Sequence, residues 1–178
     1  MSIEPWKVLE STYLHERIRV DTCQLQNGKI IEPVVFEFGT FVTIVAITKD
    51  EQVLLIWQYR HGAQKVLLEF PGGGVNRGEN PLNAAKRELL EETGYTSNTF
   101  IRTGIVSPNP SNHNNQAISF LALGVEKVNE KTLDATEEIS VSLMPLEETY
   151  QWVKSGGLLQ SLHVSAFFFS LSHLGYIK

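Results

Sequence analysis

The stretch from Gly73 to Tyr95 constrains the fold of this chain more than any other part of the sequence. It reads GGVNRGENPLNAAKRELLEETGY, and its second half has the end signals of a single helix. Asn80 is a good N-cap, and Pro81 suits the first helical position, where its missing N–H costs nothing. Gly94 supplies the left-handed residue that ends a helix. The sequence therefore predicts a helix over about Pro81 to Thr93.

One face of this predicted helix is acidic. At 100° per residue, Glu88, Glu91 and Glu92 fall within an arc of roughly 100°, beside an apolar stripe. The stripe is formed by Leu82, Ala85 and Leu89. Like charges at this spacing destabilise an isolated helix by roughly a few tenths of a kcal/mol per pair, so helix stability does not explain the cluster. A solvated acidic face is one explanation. A divalent cation is the other, because Mg²⁺ prefers oxygen ligands and binds through carboxylates together with substrate phosphates.

The full spacing of the stretch resembles the Nudix box, the signature of the Nudix hydrolases. The pattern is a glycine, five residues, Glu79, seven residues, Arg-Glu-aliphatic, one residue, Glu-Glu, one residue and a closing glycine. Such a match arises by chance in roughly one of 10⁹ windows at average residue usage. Tyr95 differs from the family pattern, which usually has an aliphatic residue at this position.

The resemblance implies a Mg²⁺-dependent hydrolase of phosphoanhydrides, with Mn²⁺ as a substitute metal. The negative oxygens of a phosphoanhydride repel nucleophiles, so hydrolysis needs a cation, a water activated by the metal and a carboxylate that takes its proton. By resemblance, Glu88 and Glu92 are the metal ligands, and the carbonyl of Gly72 is a further one. Glu91 shares the metal or orients water. Arg87, four residues before Glu91, holds a carboxylate, and Glu79 assists at the helix start.

Other motifs resemble the ADP-ribose pyrophosphatase branch of the family. They are Gln58-Tyr59-Arg60, Glu69-Phe70-Pro71, and Pro110 sixteen residues after Gly94. In that branch an arginine after the second strand contacts substrate, which implies that Arg60 binds an anion; a plain surface ion pair is the alternative. Glu69 is also a candidate substrate contact, with a simple ion pair to Arg60 as the alternative. Phe38, like Trp6 and Phe36, can stack on a nucleobase, although buried aromatics mostly form core.

One departure from that branch lies after Pro110. Many members carry an acid in this loop, whereas residues 111–116, SNHNNQ, contain none. By resemblance, Glu137 is then the candidate catalytic glutamate and Glu138 the runner-up, with an exposed acidic turn as the other explanation. His113 in the loop is expected to be solvated, with substrate contact as its alternative.

The branch implies hydrolysis of a nucleotide sugar, ADP-ribose first, to a nucleoside monophosphate and a sugar phosphate. Two other functions stay open, a nucleoside triphosphate pyrophosphohydrolase and a noncatalytic nucleotide-sensing domain.

The remaining segments alternate between strand and helix patterns. Asn27-Gly28 predicts a hairpin with arms from Arg17 to Leu25 and from Ile30 to Phe38. Other predicted strands are Phe41 to Thr48, Val53 to Gln58, Leu67 to Phe70, Phe100 to Val106, Gln116 to Val125 and Ile139 to Leu143. Later predicted helices are Leu146 to Ser155 and one that Ser161 caps. This alternation predicts an α/β or α+β fold.

The resemblance makes this fold a Nudix-type α/β/α sandwich with a mixed sheet. Residues 40–178 are then the hydrolase domain, and residues 1–39 are a small N-terminal antiparallel sheet. In the resembling branch such a sheet mediates dimerisation, so we expect a homodimer that acts on a small-molecule nucleotide sugar.

Composition narrows the range of partners. The chain has 178 residues, of which 42% are hydrophobic and 20% charged, as is ordinary for a soluble globular protein. A net charge of −5 without a basic run argues against nucleic-acid binding. Cys23 is the single cysteine, which excludes a disulfide framework within one chain. Since no signal peptide or membrane-length apolar run is visible, we expect a cytoplasmic protein without a membrane partner.

Overall fold

In the computed structural model, which describes residues 3–133 and 138–177, the chain folds as two units. The first, here called the N-terminal unit, contains the residues up to Gly39 together with Ser107–Gln116. The second, the catalytic unit, contains Thr40–Val106 and the residues from Ala117 onward. The loop after Val106 therefore belongs with the N-terminal sheet.

The N-terminal unit is an antiparallel sheet with β2 at its centre. Its strands are β1 (Lys7–His15), β2 (Ile18–Gln24), β3 (Ile30–Ile31) and β4 (Val34–Phe36). The predicted hairpin around Asn27 and Gly28 is confirmed, and Gly28 has a φ of 80°. Its second arm is split because Pro33, which lies between β3 and β4, has no N–H for the ladder. The sequence did not predict β1, whose apolar residues come in adjacent pairs and do not alternate.

The catalytic unit contains a seven-stranded mixed sheet. Its elements are β5 (Phe41–Ile47), β6 (Gln52–Arg60), β7 (Lys65–Glu69), β8 (Gly72–Gly74), α1 (Pro81–Thr93), β9 (Tyr95–Thr96), β10 (Thr99–Val106), β11 (Ala117–Leu123), β12 (Glu126–Lys127), β13 (Ile139–Pro145), α2 (Leu146–Lys154) and α3 (Ser161–His173). Strand β11 runs parallel to β5, whereas the other pairs of this sheet are antiparallel. The short strands β9 and β12 pair with each other.

Apolar side chains cover both faces of this sheet. On one face Val42 and Ile44 of β5 pack with Leu89 of α1. On the other face Val45 packs with Phe167 of α3. Strand β5 is thus buried on both sides, as its almost continuous apolar run predicts. The predicted α/β/α layering and mixed sheet are confirmed, as is the small antiparallel sheet before them.

The ends of the helices show where local signals suffice. Helix α1 has the predicted bounds, with the Asn80 side chain accepting the Leu82 N–H at 2.9 Å and Gly94 at a φ of 76°. The prediction that Ser161 caps α3 is wrong. Gln160 has the extended backbone of a cap position, so Ser161 is already the first helical residue, and no side chain caps this helix.

The two central strands part where the site is formed. Strands β5 and β6 pair with each other only through Ala46–Leu54 and Ile47–Val53. Farther along, β7 pairs with β6 and β8 pairs with β5. The chain from Glu69 to Gly72 therefore crosses from one central strand to the other, and we call this segment the crossover. It delivers the glycines of β8 to the acidic face of α1.

Within the described part of the chain, no helix has the length and apolar character needed to cross a membrane.

Candidate active site

A cleft of about 480 Å³ lies where β8 meets α1 in the catalytic unit. Its lining consists of Phe41, Gln58, Arg60, Gly72, Gly73, Gly74, Asn76, Arg87, Glu88, Glu91, Glu92 and Thr132. Most of the site residues predicted from the sequence are therefore brought together in one concave surface. Glu69 and Glu79 are connected to this lining through arginines.

The glycine strand packs directly on the acidic face of α1. Glu92 is only 3% exposed, and its Oε2 accepts the backbone N–H of Gly72 at 2.8 Å. One helical turn earlier, Glu88 lies so close to Gly73 that a Cβ there would be 2.4 Å from its carboxyl group. Only glycine permits this approach, because any side chain would displace the carboxylate.

Arg87 connects the acidic residues of the box. Its Nη1 donates to Glu88 Oε1 at 2.8 Å and to Glu91 Oε2 at 3.0 Å. Its Nε donates to Glu79 Oε1 at 3.0 Å, while Nη2 reaches both Glu79 Oε2 and the carbonyl of Gly74. These bonds, that to Glu79 first, raise the pKa of the Arg87 guanidinium above its usual value. One cation thus fixes three carboxylates and the end of the glycine strand.

Glu79 is held as an anion at the start of this network. Besides the bonds from Arg87, its Oε2 accepts the N–H of Asn76 at 2.9 Å. The hydrogen bond from Arg87 and then that from Asn76 lower the pKa of Glu79 below its usual 4.5. A carboxylate bound in this way accepts a proton poorly, so its geometry favours anchoring Arg87 over proton transfer.

Arg60 and Glu69 form an ion pair at the β6 side of the cleft. Arg60 Nε donates to Glu69 Oε2 at 2.7 Å, and the Glu69 side chain is 1% exposed. Among the described residues, Glu69 Oε1 has no hydrogen-bond partner. A guanidinium carries five N–H donors, so pairing through Nε leaves Arg60 able to bind an anion in the cleft.

Comparison with known proteins identifies the family. The profile of the NUDIX domain matches residues 39–161. The chain belongs to the Nudix family. Its resemblance to the ADP-ribose pyrophosphatase branch is confirmed as well, since several of its relatives are named for that activity.

Two relatives of the chain come from Bacillus species. The chain is 29% identical over 137 residues to the ADP-ribose pyrophosphatase of Bacillus subtilis (strain 168), which covers 76% of this chain and 74% of that protein. It is 28% identical over 151 residues to the methanol dehydrogenase activator of Bacillus methanolicus, covering 84% of this chain and 82% of that protein.

Similarity also extends to a mycobacterial protein and to a solved structure. The ADP-ribose pyrophosphatase of Mycobacterium tuberculosis (strain ATCC 25618 / H37Rv) is 26% identical over 171 residues, covering 93% of this chain and 83% of that protein. A crystal structure of an ADP compounds hydrolase matches with a TM-score of 0.87 over 99% of this chain and 100% of that one. At 22% identity, this match shows the shared fold.

The Nudix fold implies a divalent cation, and the donor chemistry of the cleft fits one. Glu88, Glu91 and Glu92 supply hard oxygen donors beside the backbone of Gly72. Within residues 3–133 and 138–177, no group of three or more His, Cys, Asp or Glu side chains is arranged as a complete metal site. Arg87 donates to Glu88 and Glu91, and the Gly72 N–H donates to Glu92. The set suits a cation that takes its other ligands from water and substrate phosphates.

Gln58 and Thr132 are among the residues of the Nudix cleft that the sequence did not predict. Gln58 lies two positions before Arg60 on β6, and the alternation of a strand puts both on one face. That signal was present in the Gln-Tyr-Arg motif. Thr132 reaches the cleft because its N–H donates to the carbonyl of Glu91 at 2.8 Å. This contact depends on a late segment returning to the end of α1, and no local pattern predicts such a return.

Other predicted site residues lie elsewhere. Glu137 falls outside the described residues, whereas Glu138 is exposed immediately before β13. Phe38 and Pro110 belong to the N-terminal unit. Pro110 is exposed there.

The aromatic cluster of the N-terminal unit includes His113. Phe38 is 41% exposed, and its ring lies parallel to that of Phe36 with 6.2 Å between centroids. The His113 ring meets both rings edge-on, at 5.5 Å from Phe36 and 5.2 Å from Phe38. His113 is therefore half-buried against these rings rather than fully solvated. Backbone hydrogen bonds of Phe36 with Asn112 and Asn114 hold the loop against β4.

Proposed function

We propose that this Nudix protein is a Mg²⁺-dependent hydrolase of nucleotide sugars. It splits the diphosphate of ADP-ribose, or of another nucleoside diphosphate linked to a sugar, into a nucleoside monophosphate and a sugar phosphate. The observation that carries this proposal is the cleft of the catalytic unit, which the Arg87-bound carboxylates line together with the glycine strand and Arg60. Similarity to two ADP-ribose pyrophosphatases supports the substrate class.

In this proposal the acidic face of α1 holds the cation. Glu88 and Glu92 are the ligands, with the Gly72 carbonyl and Glu91 as further donors, and Mn²⁺ can replace Mg²⁺. A bound Mg²⁺ supplies neutralisation of phosphate charge and a more acidic water. Arg87 keeps Glu88 and Glu91 in place, so that the carboxylates need little rearrangement during turnover.

Arg60 is the proposed phosphate-binding group on the opposite side of the cleft. Its ion pair with the buried Glu69 restrains the side chain, and a restrained cation loses less entropy when it binds an anion. Phe38 is the proposed contact to the nucleobase, since it offers an exposed ring in a stacked aromatic cluster. Pro110 is a proposed substrate contact.

Glu91 and Glu137 are the proposed proton acceptors for the attacking water. The Glu91 side chain is 44% exposed, more than that of Glu88, so water reaches it readily. Glu91→Gln and Glu137→Gln separate the two, and Glu138→Gln tests the runner-up. The base is the residue whose replacement removes the acidic limb of the pH profile of kcat.

The decisive experiment offers the purified protein ADP-ribose, a panel of other nucleotide sugars and the nucleoside triphosphates, each with Mg²⁺. We expect AMP and ribose 5-phosphate from ADP-ribose, and turnover slower by about 100-fold or more with Glu92→Gln. Release of pyrophosphate from triphosphates alone would assign the protein to the triphosphate pyrophosphohydrolases. Binding without turnover of any compound would make it a nucleotide-sensing domain.

A homodimer formed through the N-terminal unit is part of the proposal. All nine residues of β1 are exposed, and within the described chain this strand pairs only with β2. Its exposed apolar side chains include Val8, Leu9, Tyr13 and Leu14. An open strand edge with this much apolar surface is uncommon in monomers, because it invites pairing with another chain.

A further inference from the structure

In the crossover between the two central strands, backbone N–H groups need hydrogen-bond partners outside the ladders of the sheet. Glu69 is paired with Ile56 on β6, whereas Gly72 is paired with Thr43 on β5. Between those pairings the chain leaves one ladder before it joins the other. Pro71 has no N–H, so the donors that need partners beyond Glu69 are those of Phe70 and Gly72.

Side chains from helices on opposite faces of the sheet accept both donors. The Gly72 N–H donates to Glu92 of α1 at 2.8 Å. The Phe70 N–H donates to Nδ1 of His163, in the first turn of α3, at 3.1 Å. The carbonyl of Pro71 accepts the N–H of Ile44 at 2.9 Å. The crossover is therefore held from α1 by a residue of the Nudix box and from α3 by a histidine outside it.

His163 is buried in a form suited to this task. Its side chain is 0% exposed, and burial, with the nearby charge of Arg60 as a lesser cause, lowers its pKa to about 3. The ring is thus neutral at physiological pH. Since Nδ1 accepts a hydrogen bond, Nε2 carries the proton.

The other ring nitrogen shows why packing alone is a poor explanation. In the described structure, Nε2 of His163 has no hydrogen-bond partner. An apolar side chain would fill the same space against Phe70 without burying an unpaired donor. What an apolar side chain lacks is an acceptor for the Phe70 N–H.

We propose that His163 is a positioning residue for the Nudix reaction. By accepting the Phe70 N–H it fixes the crossover, and the crossover sets the place of Gly72 on one side and of the Glu69–Arg60 pair on the other. The inference rests on the proposed function, because it assigns Gly72 to the cation and Arg60 to the phosphate. His163 itself touches neither substrate nor cation.

A matched pair of variants tests the acceptor. His163→Asn keeps an acceptor oxygen on Cγ, where Nδ1 is attached, whereas His163→Leu has none; both leave the ring volume partly empty. We expect His163→Leu to lower kcat by about tenfold or more, because small misplacements of a site are costly, and His163→Asn to stay within about threefold of wild type. Mn²⁺ affinity, measured by electron paramagnetic resonance without substrate, should follow the same order.

The outcomes that overturn the proposal are distinct from a failure of the proposed function. Equal kinetics and equal Mn²⁺ affinity in the two variants would reduce His163 to packing. If wild type cleaves no nucleotide sugar, the proposed function fails, but Mn²⁺ affinity still compares the variants. If His163→Leu does not fold, nitrogen-15 spectra of wild type decide: a proton on Nε2 and slow exchange of the Phe70 amide support the proposal. A proton on Nδ1 contradicts it.

Discussion

Arg87 donates hydrogen bonds to both carboxylate oxygens of Glu79, from Nε at 3.0 Å and from Nη2 at 3.1 Å. The same guanidinium reaches Glu88 and Glu91 through Nη1. Glu79 therefore sets the orientation of Arg87, and Arg87 sets the orientation of the carboxylates that face the cleft. Glu79 thus influences Glu88 and Glu91, which come later in the Nudix box, through the side chain of Arg87.

The first prediction concerns the pH dependence of stability. The folded protein lowers the pKa of Glu79 below 4.5, so the carboxylate stays ionised where an unfolded chain takes up protons. Its contribution to stability is complete above about pH 4.5 and is lost as the pH falls through the lowered pKa. We expect Glu79→Gln to melt below wild type at neutral pH, with the difference shrinking in acid. A difference in melting temperature that persists unchanged below about pH 3 would contradict this linkage.

The second prediction separates the catalytic from the structural role of Glu92. Glutamine at position 92 keeps an oxygen for the Gly72 N–H but removes the negative charge. We expect Glu92→Gln to lose turnover by about 100-fold or more, while its melting temperature in EDTA stays within about 3 °C of wild type. Saturating Mg²⁺ should raise the melting temperature of wild type and not that of the variant. A large loss of stability in EDTA would instead make Glu92 a structural residue.

The third prediction uses the ion pair of Arg60 and Glu69. Lysine at position 60 keeps the charge but not the planar fork of donors, so it should bind phosphate less well. We expect Arg60→Lys to raise KM by about tenfold with little change in kcat, the pattern of lost ground-state binding. Glu69→Gln is the matched control, because it loosens Arg60 without removing the guanidinium. If Arg60→Lys changes stability but leaves KM unchanged, the role of Arg60 is limited to its ion pair with Glu69.

The fourth prediction concerns oligomeric state. The mass of one chain is 20.0 kDa, so a homodimer should scatter light as a particle of twice that mass at micromolar concentration. Leu14 on β1 is 68% exposed, and Leu14→Glu should shift the equilibrium toward monomer without lowering helix content. A monomeric mass for wild type under these conditions would contradict the proposed homodimer.

What the sequence predicts well here is local. The bounds of α1 are determined by residues at its own ends, Asn80, Pro81 and Gly94. The spacing of Arg87 and Glu91 predicts a contact one helical turn apart. Strand β5 is equally clear, because burial on two faces leaves an apolar run.

What the sequence does not predict depends on distant segments. His163 meets Phe70 across 93 positions of the chain, and Thr132 meets Glu91 through a returning segment. Neither carries a pattern of its own. The separation of β5 and β6 cannot be predicted for the same reason, because the periodicity of a strand does not show which strand it pairs with.

That parting limits how this protein can change. The floor of the cleft is main chain, and at Gly73 it lies against a carboxylate without room for one methyl group. Variation must therefore enter through side chains on the walls, such as Gln58 and Thr132. Substitutions at these positions can change the substrate preference while the residues that carry out hydrolysis stay the same. A chain of this kind can therefore act on a new substrate by the same reaction.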